Sequence, residues 1–143
     1  MAHWLMKSEP DAFSWNDLVK KGKSDWDGVR NHQASANLKA MKKGDRAFFY
    51  HSSQELAVVG VMEIAREHYP DPTDETGKWV AVEVKPVMPV KRPVTLKQMK
   101  AEPKLGHLMV VRHSRLSVSA VDGKAWALIC KMAGIKANSQ TGS

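Results

Sequence analysis

Residues 56–90, LAVVGVMEIAREHYPDPTDETGKWVAVEVKPVMPV, decide the fold that this sequence predicts. The first part, LAVVGVMEIAREHY, is rich in β-branched residues, which favours a buried strand over a helix, and Gly60 marks a bulge in it. In the last part, WVAVEVKPVMPV, valines alternate with other residues until Pro86, which is typical of a strand. The segment between them, PDPTDETGK, has the prolines and glycine of a loop. Two long strands are therefore expected here.

Shorter patterns on both sides predict the other elements. Strands are expected at HWLMK (3–7), RAFFYHSS (46–53), 108–112 and 116–121. Helices are expected at WNDLVKK after Ser14, ASANLKAMKKG up to Gly44, LKQMKAE after Thr95 and GKAWALICKMAG after Asp122. Strands and helices do not alternate regularly, which argues against a doubly wound parallel sheet. We expect an α+β fold, a small curved and mostly antiparallel β-barrel of five to six strands flanked by helices.

Length and composition favour one globular domain. The chain has 143 residues, of which 43% are hydrophobic and 26% charged. We assign residues 1–136 to the domain and 137–143 to a flexible tail. Cys130 is the single cysteine, which excludes an internal disulfide and a thiolate zinc cluster. No apolar run reaches bilayer length, so we expect a protein that is cytoplasmic, or nuclear in a eukaryote, and does not bind membranes. A monomer is the expected oligomeric state.

The basic residues are unevenly distributed along the chain. Residues 1–75 hold 10 Lys and Arg against 12 Asp and Glu, whereas residues 76–143 hold 12 against 3, within a net charge of +7. A one-sided basic surface attracts polyanions, and nucleic acid is the commonest polyanion in a cell. The alternative is a basic surface that only keeps the protein soluble. Nucleic acid is the partner that the charge predicts.

Sequence motifs for catalysis are missing. The chain has no GxSxG, P-loop, GxGxxG, HExxH or CxxC motif, and its six histidines are scattered. Cys130 lies in an apolar helix, where an inert buried thiol is the usual state. Asp25 and Asp27 resemble an acid–base pair, but solvated loop aspartates are the commoner case. We therefore expect a binding protein without catalytic residues, metal or cofactor.

Four polar clusters stand at the ends of expected strands, where loops usually carry binding residues. They are residues 7–10 (KSEP), 26–32 (WDGVRNH), 50–53 (YHSS) and 112–117 (RHSRLS). Each cluster also has an ordinary structural explanation. Trp26 is a plausible core residue, and Arg30 is a plausible anchor of its loop through Asp25 or Asp27.

Taken together, the ordered motifs resemble the EVE domain family. They are KSEP (7–10), WDGVRNHQA (26–34), LKAMKKGD (38–45), FFYHS (48–52), YPDPT (69–73), PVTL (93–96) and SRLSV (114–118). This family has a PUA-like fold and is structurally related to the YTH readers of methylated adenosine. The resemblance implies a barrel-like sheet with a pocket for one flipped-out base, either a modified cytosine in DNA or a modified base in RNA.

The resemblance also implies a set of binding residues. The base pocket would be formed by Ser8, Glu9, Trp26, Asn31, Tyr50, His51, Ser52, Leu116 and Ser117. The flanking phosphates would be held by Arg30, Arg112 and Arg115. Tyr50 and Trp79 are the candidates for a second aromatic wall. A flipped base loses stacking worth a few kcal/mol, and one aromatic face restores about 1–3 kcal/mol.

Two other functions remain open at this point. Related domains of the ASCH type resemble hydrolases of acylated cytidine, and here Lys7, Glu9 and a nearby Ser or Thr would be the catalytic candidates. A general adaptor would instead use the basic face without any base pocket, and it would show steep salt dependence without base preference.

Overall fold

The computed structural model describes residues 1–136. Its strands are β1 (His3–Ser8), β2 (Ser24–Trp26), β3 (Arg46–His51), β4 (Ala57–Pro70), β5 (Val80–Thr95) and β6 (Val118–Val121). Its helices are α1 (Trp15–Lys21), α2 (His32–Ala40), α3 (Leu96–Ala101), α4 (Met109–Arg112) and α5 (Gly123–Ala133), with a 3-10 turn at Pro103–Leu105. The predicted tail, 137–143, lies outside the described residues. Within residues 1–136, no helix combines the length and the apolar character that crossing a membrane requires.

The strands form one mixed sheet in the order β2-β5-β4-β3-β1-β6. Only the β1–β3 pair is parallel, and the other pairs are antiparallel. The register shifts at several points between β4 and β5, including one between Val58 and Gly60, which confirms the bulge expected at this glycine. Among the described residues β2 and β6 remain the two edges, so the barrel is not closed. The expected α+β class and the curved, barrel-like form are confirmed.

Alternation along β3 divides the core into two clusters. Phe49 lies on one face with Trp4 and Trp26, where α1 and α2 cover the sheet. Phe48 and Tyr50 lie on the other face, which the later helices α3, α4 and α5 cover. Both faces of the sheet are thus buried. The sheet itself therefore offers its strand ends and edges for binding.

The residues that the sequence predicted as helix caps do cap the helices in the structure. Ser14 and Asp17 form a capping box at the start of α1, and Gly22 ends this helix with a φ of +83°. Thr95 caps α3 in the same way as Ser14 caps α1, and the side chain of Asp122 accepts a hydrogen bond from the amide of Ala125 at the start of α5.

Several of the sequence-based assignments are wrong in element type or in extent. Residues 108–112 were expected to form a strand, but Met109–Arg112 is a helical turn, because the Leu108 carbonyl accepts the amide hydrogens of Val111 and Arg112. Helix α2 ends at Ala40, before the expected Gly44. The short strand β2 was not predicted, and β5 continues past Pro86 to Thr95. Since β2 pairs with β5 only as far as Val84, the rest of β5 is free of that neighbour and tolerates proline.

Candidate nucleic-acid interface

An open cleft of about 290 Å³ lies where β1 ends beside β2. We call it the Trp26 cleft. Its lining residues come from the end of β1, the loop after it, the end of α1 and the β2 segment: Lys7, Ser8, Ala12, Phe13, Lys21, Ser24, Asp25, Trp26 and Asp27. The capping box of α1 and the pairing of β2 with β5 hold these segments in place.

Trp26 belongs to both the core and the cleft. Its side chain is only 6% exposed and packs edge-on against Phe49, with ring centroids 5.4 Å apart. Phe13 also contacts Phe49, at 6.3 Å, and both Phe13 and Trp26 line the cleft. Trp26 is therefore held by the core, and only a small part of its surface lines the cleft.

The loop after Trp26 is fixed by one distant carboxylate, Asp71. Its Oδ2 accepts hydrogen bonds from the Gly28 amide at 2.8 Å and from Arg30 Nη1 at 3.0 Å. Its Oδ1 accepts the Thr73 amide at 2.7 Å and the Thr73 hydroxyl at 2.6 Å. Arg30 also donates to Thr73 Oγ1 at 3.2 Å. The expectation that Arg30 pairs with Asp25 or Asp27 is therefore wrong, because its carboxylate partner is Asp71.

The carboxylates near the cleft have different pKa values because their surroundings differ. Burial alone would raise the pKa of Asp71, but hydrogen bonds from Thr73, Arg30 and Gly28 outweigh it and lower this pKa to about 2. The pKa of Asp27 is raised, first by burial and then by the neighbouring charges of Asp71 and Asp25. Asp71 is thus a fixed structural anion, whereas the Asp27 carboxylate lines the cleft.

The KSEP motif builds one wall of the cleft. The Ser8 hydroxyl donates to the Phe13 carbonyl at 2.6 Å, and the Lys7 ammonium donates to the Ser114 carbonyl at 3.0 Å. Burial lowers the pKa of Lys7. Glu9 is exposed and does not line the cleft, although its carbonyl accepts the Phe13 amide at 2.8 Å.

The predicted residues at the end of β3 lie outside the Trp26 cleft. Tyr50 is buried in the opposite core cluster, and burial raises its pKa to about 12. His51 Nε2 accepts the amide hydrogen of Trp15 at 3.2 Å, so this histidine supports the start of α1. The Ser52 amide donates to the Ser8 carbonyl at 3.0 Å, which extends the pairing of β1 with β3.

Trp79, the other candidate for a second aromatic wall, also lies outside the Trp26 cleft. Its ring centroid is 4.9 Å from that of His32 and 5.9 Å from the Arg30 guanidinium. In this structure Phe13 is the aromatic side chain that lines the cleft together with Trp26.

A second cleft, of about 350 Å³, contains four of the other predicted residues, Asn31, Arg112, Arg115 and Leu116, whereas Ser117 does not line it. Its lining residues are Asn31, Gln33, Arg112, His113, Ser114, Arg115 and Leu116. Asn31 has a structural task here, because its side-chain oxygen caps α2 by accepting the Ala34 amide at 2.9 Å. The two clefts are neighbours, since Lys7 contacts Ser114 and the Lys7 amide donates to the Ser117 carbonyl at 2.9 Å.

The sequence analysis missed several residues of this interface. Phe13 and Lys21 line the Trp26 cleft, but neither lies in a motif that drew attention to it. Asp71 was passed over although it stands in the quoted YPDPT segment, a turn whose carboxylate could have been expected to bind nearby amides. Within residues 1–136, no group of three or more His, Cys, Asp or Glu side chains could hold a metal ion.

Comparison with known proteins places this geometry in a family. The model of the EVE domain matches residues 2–132. Human thymocyte nuclear protein 1 is 40% identical over 126 residues, which cover 70% of this chain and 56% of the human protein. The chain thus spans little more than half the length of this relative.

Solved structures agree with this match. The protein Rpa0253 from Rhodopseudomonas palustris is 51% identical with a TM-score of 0.89, and the match covers 94% of each chain. The human THYN1 protein in complex with 5-methylcytosine-containing DNA is 32% identical with a TM-score of 0.87, covering 93% of this chain and 98% of that one. The YTH domain of Zygosaccharomyces rouxii MRB1, at 18% identity and a TM-score of 0.56, shares the fold. On the family match and these similarities, the chain belongs to the EVE domain family.

Proposed function

We propose that this protein is a non-catalytic reader of modified DNA that holds a flipped-out modified cytosine, in the first instance 5-methylcytosine, in the Trp26 cleft. The observation that carries the proposal is the human relative bound to DNA containing 5-methylcytosine, which matches this chain over nearly all of its described length. The cleft of this chain supplies the chemistry that such a ligand requires.

The size and walls of the cleft suit one base. Its volume of about 290 Å³ lies near the lower end of small-molecule sites. A base that contacts Phe13 and the small exposed part of Trp26 would regain a part of the about 1–3 kcal/mol that a full aromatic stack supplies. Ala12 and Phe13 offer apolar surface for a methyl group. The Asp27 carboxylate is an acceptor suited to the exocyclic amino group of cytosine.

The neighbouring cleft suits the flanking backbone. Arg112 and Arg115 are exposed there, and arginine binds phosphate through paired hydrogen bonds. Arg30 is committed to Asp71, so its role in binding is to shape the loop rather than to hold a phosphate.

The geometry favours binding over hydrolysis. Of the two residues named for an ASCH-like reaction, Lys7 lines the Trp26 cleft but Glu9 lies exposed outside it. A reaction that needs both groups on one substrate is not supported by this arrangement.

The test uses two tryptophans with nearly the same surroundings. Trp15 and Trp26 are both buried and both pack edge-on against Phe49, at 5.7 and 5.4 Å, but only Trp26 lines the cleft. Affinities of the wild type, Trp26→Phe and Trp15→Phe are measured by fluorescence anisotropy with labelled DNA containing either 5-methylcytosine or cytosine at one position.

We expect the wild type to prefer the methylated DNA, Trp26→Phe to weaken binding severalfold, and Trp15→Phe to bind like the wild type. Circular dichroism checks that both variants are folded. Equal affinity of the wild type for methylated and plain DNA would overturn the proposal, as would equal losses in the two variants. Tighter binding of an RNA of the same sequence would show that RNA, and not DNA, is the ligand.

A further inference from the structure

We propose, resting on the function proposed above, that the DNA strand leaves the Trp26 cleft in one direction only, along a basic groove beside β6 that ends at Lys104 and Lys124. The proposal adds a backbone-binding surface and a direction to the base pocket. The occupant is the phosphodiester backbone on one side of the modified base.

The first support is the continuity of the surface. The cleft that contains Arg112 and Arg115 shares Gln33 and Leu116 with a third cleft of about 350 Å³ beside β6. That cleft in turn shares His107 and Asp122 with a fourth, of about 540 Å³, at the start of α5. The Lys7–Ser114 contact joins the first cleft to this series. We call the series beyond the Trp26 cleft the β6 groove.

The second support is charge. The groove presents Arg112 and Arg115 at its near end and Lys104 and Lys124 at its far end. Two carboxylates lie at the far end, and both are engaged in capping. Asp122 accepts the Ala125 amide and pairs with His107, while Glu102 accepts the Lys104 amide at 3.0 Å. These amide bonds leave the carboxylate charges in place, but the lining of the groove still holds four Lys and Arg side chains against one carboxylate, Asp122, and this excess of positive charge attracts a polyanion.

The opposite side of the Trp26 cleft has the reverse character. Asp25 and Asp27 line the cleft there, and Asp71 lies next to them. Among the nearby cations, Arg30 is paired with Asp71, and Lys21 lines the cleft with Asp25 and Asp27. The three carboxylates outnumber these two cations, so this exit is the less favourable one for phosphates and the backbone is favoured to leave over the β6 groove instead.

The length of the groove sets the size of the footprint. From Ser117 to Asp122 the chain advances five residues, or about 17 Å at the rise of a β-strand. At the rise of a stacked B-form strand, about 3.4 Å per nucleotide, this length accommodates at most about five nucleotides. A probe with eight nucleotides on one side of the modified base therefore covers the groove.

The experiment compares two double variants that remove the same charge. Lys104→Gln with Lys124→Gln alters the far end of the β6 groove. Lys97→Gln with Lys100→Gln alters α3, whose lysines line a separate cleft. The probes are single-stranded DNAs with eight nucleotides either 5′ or 3′ of a terminal 5-methylcytosine, and the affinity is measured over a range of salt concentrations.

We expect the wild type to bind one of the two probes more tightly than the other. For that probe, the groove variant should lower the dependence of log K on log salt by about 1.4, the value for two lost phosphate contacts on a single strand. The other probe and the control variant should change little.

Equal binding of the two probes by the wild type, or equal effects of the two double variants, would overturn the proposal that the β6 groove binds the DNA backbone. These outcomes are distinct from a failure of the proposed function, which is a wild type that does not distinguish 5-methylcytosine from cytosine. Should that occur, the salt dependence of the two double variants still decides whether the groove binds nucleic acid.

Discussion

Replacing Asp71 by asparagine tests whether one carboxylate holds the loop between β2 and α2, residues 27–31, which we call the Trp26 loop. The Asp71 side chain is fully buried and accepts four hydrogen bonds, two of them from Gly28 and Arg30 in that loop. Its pKa falls from 3.8 to about 2 on folding. At about 1.36 kcal/mol per pKa unit, the ionised carboxylate contributes about 2.5 kcal/mol to stability at pH 7.

The pH dependence of this contribution has a definite sign. Because folding lowers the pKa of Asp71, the stabilisation is complete above the unfolded pKa and is lost as the pH falls through the folded pKa. We expect Asp71→Asn to lower the free energy of unfolding by about 2 kcal/mol between pH 5 and 7, and by about half as much at pH 3. Urea unfolding followed by circular dichroism at each pH gives both values.

A second aspartate in the same loop is the matched control. The pKa of Asp74 is also lowered to about 2, first by the hydroxyl of Thr76 and then by the amide of Trp79, but this residue is only half-buried and its hydrogen bonds go to Thr76 and Trp79 rather than to the loop after Trp26. We expect Asp74→Asn to cost less stability and to leave the affinity for methylated DNA unchanged, whereas Asp71→Asn weakens it. A stability difference for Asp71→Asn that stays constant down to pH 3, or no difference at pH 7, would refute the reasoning.

Three further outcomes follow from other sites. Gly60→Ala should lower the free energy of unfolding by about 1–3 kcal/mol in urea titrations, because a Cβ there would lie 2.5 Å from the Trp15 ring. Gly123→Ala is the control, because a Cβ at Gly123 would have no atom within 4 Å. Similar losses of stability in both variants would contradict this explanation. Asp27→Asn should reduce the preference for 5-methylcytosine over thymine about tenfold in competition binding, because an amide can donate to the thymine oxygen and a carboxylate cannot; an unchanged ratio would remove Asp27 from base recognition. Cys130 should react with a thiol reagent at pH 8 only after unfolding in urea, since burial raises its pKa to about 12; rapid labelling of the folded protein would show the thiol to be accessible.

Local signals in the sequence predicted the helices well, whereas contacts between distant segments could not be seen. The capping box at Ser14 and the glycine stop at Gly22 act within a few residues, so the sequence shows both partners. Arg30 and Asp71 are 41 residues apart, and the sequence offered the nearer Asp25 and Asp27 as partners instead. Only the register of β5 on β2 and β4 brings the two segments together.

Short apolar runs were the second source of error. Residues 108–112, LMVVR, contain two valines and are too few to show whether their period is that of a helix or a strand. The FFYHS motif at 48–52 shows the same problem within the site. Alternation places Phe49 and Tyr50 on opposite faces, and the sequence does not say which face meets Trp26. Ser8 and Trp26 line the same cleft, but Tyr50 faces the other core cluster.

The polar side chains that crowd residues 24–34 divide into two groups by their partners. The Asn31 oxygen caps α2, and Arg30 and the Gly28 amide are bonded to Asp71, so these groups are occupied before any ligand arrives. Asp27, by contrast, lines the cleft together with Trp26, where its carboxylate can meet a ligand. Occupied groups preorganise the cleft, so altering them should lower stability and affinity together. Altering Asp27 should change which base is preferred while leaving the loop in place. A loop that only contacts solvent would not show these two separate effects.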